Sequence, residues 1–121
     1  MAKVGGPLRG SPVVTATAPS AGTANLSEGQ AVSFNGSYTV VHSPDGAEVH
    51  GQVLDKLVNK DGALTAVVMN GVLRFSYAGA SPVVGQSVVG SATAGKVKAA
   101  PTGRWLVIAV DTAGTTVDVE R

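Results

Sequence analysis

The sequence predicts an all-β protein, a compact barrel or sandwich of about eight to ten short, mostly antiparallel strands behind an extended N-terminal arm. Three observations carry that prediction. Sixteen glycines and six prolines are scattered through 121 residues, so that no stretch free of both exceeds ten residues. A typical helix needs about 11–12 residues, and a glycine inside one costs about 1 kcal/mol relative to alanine. Asn-Gly and Asp-Gly dipeptides recur between apolar runs, and several of those runs alternate apolar and polar residues with period two. That is the pattern of half-buried strands joined by tight turns.

Taken in order, residues 1–12 are rich in Gly and Pro and read as an extended arm, and residues 13–121 read as one β domain. Residues 18–29 (Ala-Pro-Ser-Ala-Gly-Thr-Ala-Asn-Leu-Ser-Glu-Gly) read as a loop of small residues. Asn35-Gly36 is expected to turn between strands at Gln30–Phe34 and Ser37–Ser43, and Asp61-Gly62 between Gln52–Lys60 and Ala63–Met69. Asn70-Gly71 predicts a further hairpin, leading into Val72–Tyr77. Both central residues of a type I′ turn need positive φ, which Asn or Asp followed by Gly supplies cheaply. Asp111-Thr-Ala-Gly114 predicts a longer hairpin from Arg104–Val110 to Thr115–Glu120.

Alternation assigns the faces. Ala47, Val49, Val53 and Leu57 alternate with Glu48, His50, Gln52 and Lys56, and Val117 and Val119 with Asp118 and Glu120. These segments should bury one face. Leu64–Met69 and Leu106–Val110 are nearly continuous apolar runs, as expected of strands covered on both sides. Trp105 opens the more apolar of the two and is expected to anchor the core or an interface.

Composition narrows the function. Hydrophobic residues make up 44% of the chain. Charged residues make up 14%, well below the typical ~25%, which leaves room for an apolar surface that rests on a partner. Nine Lys/Arg against eight Asp/Glu give a net charge of +1, without the basic stripe of a nucleic-acid binder. The first 27 residues carry only Lys3 and Arg9 and no acid. There is no cysteine, hence no disulfide and no thiolate metal site. The opening Met1-Ala-Lys-Val-Gly-Gly-Pro7 lacks the apolar stretch of a secretory signal, and no run reaches the ~18 apolar residues of a membrane-spanning helix. A soluble protein with no membrane partner is expected.

Catalytic patterns are thin. His42 and His50, with Asp45 and Glu48 nearby, do not have the spacing of a metal site, and satisfied or surface histidines are expected. No Gly-x-Ser-x-Gly elbow supports a nucleophilic serine. Gly5-Gly6-Pro7 and Gly10 match neither a phosphate loop nor a dinucleotide fingerprint. Lys96, Lys98 and Arg104 form a small basic group that a solvated face explains. No cofactor, metal or enzymatic activity is expected.

The C-terminal third reads Gly85-Gln-Ser-Val-Val-Gly-Ser-Ala-Thr-Ala-Gly-Lys-Val-Lys98, then Pro101-Thr-Gly-Arg104, Leu106-Val-Ile-Ala-Val-Asp111 and Thr116-Val-Asp-Val119. Over residues 83–120 this resembles the capsid cement, or head decoration, proteins of tailed bacteriophages, and Val13-Val-Thr-Ala-Thr-Ala-Pro-Ser-Ala-Gly22 echoes their opening. The resemblance implies a virion structural protein without catalytic residues. It would be made in the host cytoplasm and added to the capsid exterior, often as a homotrimer, bridging subunits of the major capsid protein. On that reading Lys3, Val4, Leu8 and Arg9 of the arm are the expected capsid contacts, with the Ala18–Glu28 loop as a second candidate. Two alternatives remain at this point: another virion β-domain, of tail or fibre, or a small carbohydrate- or ligand-binding module that stacks a sugar on an exposed Trp105 or Tyr77.

Overall fold

The computed structural model describes residues 13–18, 26–59 and 62–121, with backbone only at 18, 55–59 and 62–65. Ten strands and no helix form these residues: β1 (Val13–Ala18), β2 (Ala31–Gly36), β3 (Thr39–His42), β4 (Gly51–Asn59), β5 (Gly62–Val68), β6 (Val72–Ser76), β7 (Ser87–Gly90), β8 (Val97–Ala100), β9 (Leu106–Asp111) and β10 (Thr116–Glu120). Strands β1-β3-β2-β4-β5 close into a barrel, with β1 antiparallel to β5 and joined to β3 by a parallel bridge at Thr17 and Thr39. Strands β6-β10-β9 make a three-stranded antiparallel sheet, and β7 pairs with β8. The protein is therefore all-β and mostly antiparallel. It is a barrel with two small sheets added, a choice that local pattern had left open.

Two apolar cores follow from this arrangement. Ala16, Leu26, Val32, Val40, Val53 and Val67 fill the barrel. The second core lies between the outside of the barrel wall, through Ala31 and Val49, and the inner faces of the added sheets, through Phe75, Val88, Val97, Trp105, Val107, Val117 and Val119. β5 separates the two: Val67 is buried in the barrel while Val68 packs on the second core. Its apolar run is thus covered on both sides over its described side chains, as expected. The alternation at 47–57 is divided between the cores, with Val49 in one and Val53 in the other, because β4 begins only at Gly51.

Two turns differ from expectation. Asn35-Gly36 does not turn the chain; Gly36 stays in β2 across a register shift, and the turn falls on Ser37 and Tyr38. Tyr38 takes a positive φ of 50°, and its carbonyl accepts from Thr17 N at 2.7 Å, which ties the turn to β1. Asn70-Gly71 makes no hairpin, because β5 already has β4 and β1 on its two edges. Gly71, at φ 103°, instead carries the chain out of the barrel, and it exchanges two 3.1 Å hydrogen bonds with Arg121 as β6 starts along β10. The other two expected hairpins form, although Gly62, expected in the first turn with Asp61, lies in β5. Asn59 lies opposite Gly62 in the β4–β5 pair, and β9 turns into β10 through a loop in which Gly114 N donates to Asp111 Oδ1 at 3.1 Å. The two residues between Asn59 and Gly62 lie outside the described residues.

One expectation about burial fails. Leu106–Val110 is not covered on both sides. Val107 is buried, whereas Leu106 and Ile108 are exposed. The described residues cover one face of β9 and leave the other, equally apolar, exposed.

Candidate interaction surface

The two histidines are occupied within the fold. Phe34 N donates to His50 Nδ1 at 2.9 Å, and His42 Nε2 donates to Gln30 Oε1 at 2.8 Å. Burial holds both imidazoles below the usual histidine range, and Arg104 pushes His50 further down. Buried Ser33 and Ser43 bond each other at 2.9 Å. Among the described residues no group of three or more His, Asp or Glu is placed to hold a metal ion. No helix there is long and apolar enough to cross a membrane.

The expected basic group is dispersed. Lys98 pairs with Asp45 at 2.7 Å and Arg104 with Glu48 at 2.9 Å, both at the surface. The two carbohydrate-stacking candidates are not available either. Trp105 is buried, its indole N–H donating to Val49 O at 2.8 Å and its ring edge-on to Phe75. Tyr77 is also buried. A cleft of about 460 Å³ is lined by Asp45, Lys98 and small residues, with no aromatic among them.

The outer face of the β6-β10-β9 sheet has a different character. β6 alternates exposed and buried residues, so Leu73 and Phe75 enter the core while Val72, Arg74 and Ser76 face out. Register places Glu120 directly between Val72 and Leu106. The next row sets Asp118 between Arg74 and Ala109, and a register shift in β9 accommodates Ile108. Arg74 and Asp118 form a forked ion pair at 2.7 and 3.0 Å, which lowers the carboxyl pKa of Asp118 and raises that of the guanidinium. Glu120 joins none of the ion pairs among the described residues.

Beyond β9 the face continues. Gly85 N donates to Val107 O at 3.0 Å and Val107 N to Gln86 O at 2.8 Å, so residues 85–86 lie along the strand's free edge. The two residues before them, Val83 and Val84, are exposed. Five large aliphatic side chains are thus exposed on and beside one sheet: Val72 60%, Val83 59%, Val84 61%, Leu106 50% and Ile108 39%. Next to them lies an open cleft of about 180 Å³ between residues 85–87 and 101–106. Ser87 lines it. The Ser87 hydroxyl is buried, and no hydrogen-bond partner for it occurs among the described residues. Gly103 leaves it room, since a Cβ there would sit 2.4 Å from Ser87 Oγ.

The arm residues expected to contact a capsid, Lys3, Val4, Leu8 and Arg9, lie outside the described residues, as do residues 19–25 of the second candidate loop. Within that loop, Leu26 is buried in the barrel core, so this part of it serves the fold. Sequence reasoning missed Val72, Val83 and Val84 as surface residues. The only signal for Val83 and Val84 was their position as a β-branched pair after Pro82, outside any predicted strand, whereas Val72 opens the predicted strand Val72–Tyr77 without marking its face. No protein-family model matches the chain, and no curated protein matches its sequence.

Proposed function

We propose that the chain is a structural virion protein that binds the outer surface of a phage capsid and stabilises it by bridging subunits of the major capsid protein. The observation that carries this reading is β9. Its sequence has the composition of a doubly covered strand, and the described residues of its own chain cover it once. The likeness of residues 83–120 to cement proteins names the kind of partner that would supply the second cover.

Magnitudes suit adhesion to a repeating surface. The five exposed aliphatics present on the order of 400 Å², within the ~300–600 Å² of the largest patches that monomers carry. At about 25 cal/mol per Å² their burial contributes roughly 10 kcal/mol gross. That is comparable with the ~4–15 kcal/mol cost of association, so one such contact is weak. Many copies on one lattice, or a homotrimer with three contacts, convert weak single contacts into durable attachment through effective concentration.

The test is co-sedimentation of the purified protein with expanded capsids of its own phage that lack it. Saturable binding at a fixed copy number per capsomer, with a rise in capsid melting temperature, is the expected result. No binding at micromolar protein would end the decoration reading and turn attention to tail structures.

A further inference from the structure

We propose that the protein docks through the outer face of the β6-β10-β9 sheet, and that the cleft at Ser87 receives a single anchoring side chain of the capsid protein. This inference rests on the decoration reading and deepens it by naming the surface and the chemistry of its partner.

Three features of the face choose the occupant. The first is area. A patch on the order of 400 Å² is about half of the ~800 Å² per partner found in stable complexes. The face is therefore too small to hold two free copies together, but sufficient where a lattice holds many. The second is charge. Arg74 and Asp118 neutralise each other, which leaves Glu120 as the uncompensated charge between Val72 and Leu106. A second copy docked face to face about a twofold axis would bring one Glu120 towards the other, whereas a shell surface with a Lys or Arg among apolar residues would pair with it. The third is the cleft. At about 180 Å³ it falls below the ~300–1,000 Å³ of small-molecule sites, and it matches one large side chain. Anchors of this kind, seated in a pocket and ringed by apolar contacts, dominate interface energetics.

Ser87 gives the anchor a polar requirement. A buried hydroxyl without a partner is costly, and the one at Ser87 lies just beneath the lining of the cleft, against Gly103, where a small shift of the wall would expose its donor and acceptor. The side chain that enters should therefore be apolar in body and polar at its tip, as Tyr or Gln is.

The experiment compares four variants in the capsid co-sedimentation assay and measures the self-association of free protein by sedimentation equilibrium. Val72→Glu/Leu106→Glu should weaken binding by about tenfold or more, and Glu120→Lys should weaken it with a reduced salt dependence. Leu54→Glu, at an equally exposed position on barrel strand β4, should bind like the parent chain. Ser87→Ala should keep or slightly raise thermal stability, since it removes an unsatisfied group, yet bind capsids several-fold more weakly. If the parent chain ignores capsids, the decoration reading falls. If it binds and the sheet variants bind equally well, or only Leu54→Glu weakens binding, the face assigned here is wrong while decoration stands. If the free protein is an oligomer that Val72→Glu/Leu106→Glu dissociates, the face is a contact between copies and the inference is overturned. Unchanged binding of Ser87→Ala would remove the anchoring cleft.

Discussion

Trp105→Phe tests how the two halves of the fold are joined. The indole sits in the core between the barrel and the added sheets, and its N–H is the polar tie to Val49 O, 56 residues away in sequence. Phenylalanine keeps most of the apolar bulk and the contact with Phe75, whose ring centroid lies 6.2 Å away at 83°. Two losses remain. The smaller ring leaves a void of roughly 40 Å³, which at about 24 cal/mol per Å³ costs ~1 kcal/mol. The Val49 carbonyl, shielded from water, loses its donor, at about 1–3 kcal/mol. Together these predict destabilisation by about 2–4 kcal/mol, a large share of the ~5–15 kcal/mol that holds a domain of this kind. Because Trp105 is the only tryptophan, both proteins should be followed by far-ultraviolet circular dichroism in urea. The midpoint should fall by about 1–2 M with an unchanged slope. A loss below about 1 kcal/mol would show that the hydrogen bond and the indole do not join the halves, and would refute the reasoning.

Further predictions follow from single contacts. Gly90→Ala should cost about 3 kcal/mol or more in urea unfolding, because a Cβ there would lie 2.3 Å from Pro44 O and 2.7 Å from Ser43 O, both main chain; Gly36→Ala, with nothing nearer than Thr39 Cβ at 3.6 Å, should change stability by less than about 1 kcal/mol. Thr115→Gly should raise the midpoint by an amount worth about 0.5–1 kcal/mol, since Thr115 holds φ at 52°, where a β-branched residue is strained. His50 is held below its usual pKa by burial and by Arg104 and Arg121, against Glu48, and its Nδ1 must stay unprotonated to accept from Phe34 N. The folded state therefore disfavours the charged form, so stability is full above the unfolded pKa of about 6.5 and declines as pH falls below it. His50→Gln should flatten the dependence of the urea midpoint between about pH 7.5 and 5; an unchanged slope would assign the effect to His42, which burial shifts in the same direction.

Most strands were legible in the sequence, and for local reasons. Alternation at Val117–Glu120 and the Asp111–Gly114 turn depend only on neighbours along the chain, and both occur as expected. What failed depended on which edges were free. Asn70-Gly71 has the chemistry of a hairpin, yet β5 had no edge left to receive β6. Asn35-Gly36 lost the turn to Ser37-Tyr38 because a register shift extends β2 by a bulge, an option that dipeptide chemistry does not exclude. Strands β7 and β8 lie in Ser87–Gly90 and Val97–Ala100, segments too short and too rich in small residues to stand out from loop. The candidate surface was less legible than the fold. Val72 and Leu106 belong to different segments and become neighbours only through β10, so no spacing along the chain announces them.

The strand whose burial was misread, β9, is also the most informative about partners. A run such as Leu106–Val110 says that both faces of a strand will be dry, but not whose atoms will dry them. β5 and β9 have similar runs and opposite outcomes. Val67 and Val68 of β5 lie between two cores of the same chain. On β9, Val107 meets a core and Leu106 and Ile108 meet solvent. Scattered apolar residues on a surface need no explanation, but three on one sheet and two beside it, with Glu120 among them and a buried hydroxyl without a partner among the described residues at the adjoining cleft, are not scattered. On the proposed reading, the doubly apolar composition of β9 is a property of the assembled state, with the second cover supplied by the shell. A direct consequence is that amides of β9 and β10, which exchange at the rate set by local opening in free protein, should exchange more slowly on capsids, while those of barrel strand β4 should not change. Slowing confined to the barrel would place the shell on the other side of the molecule.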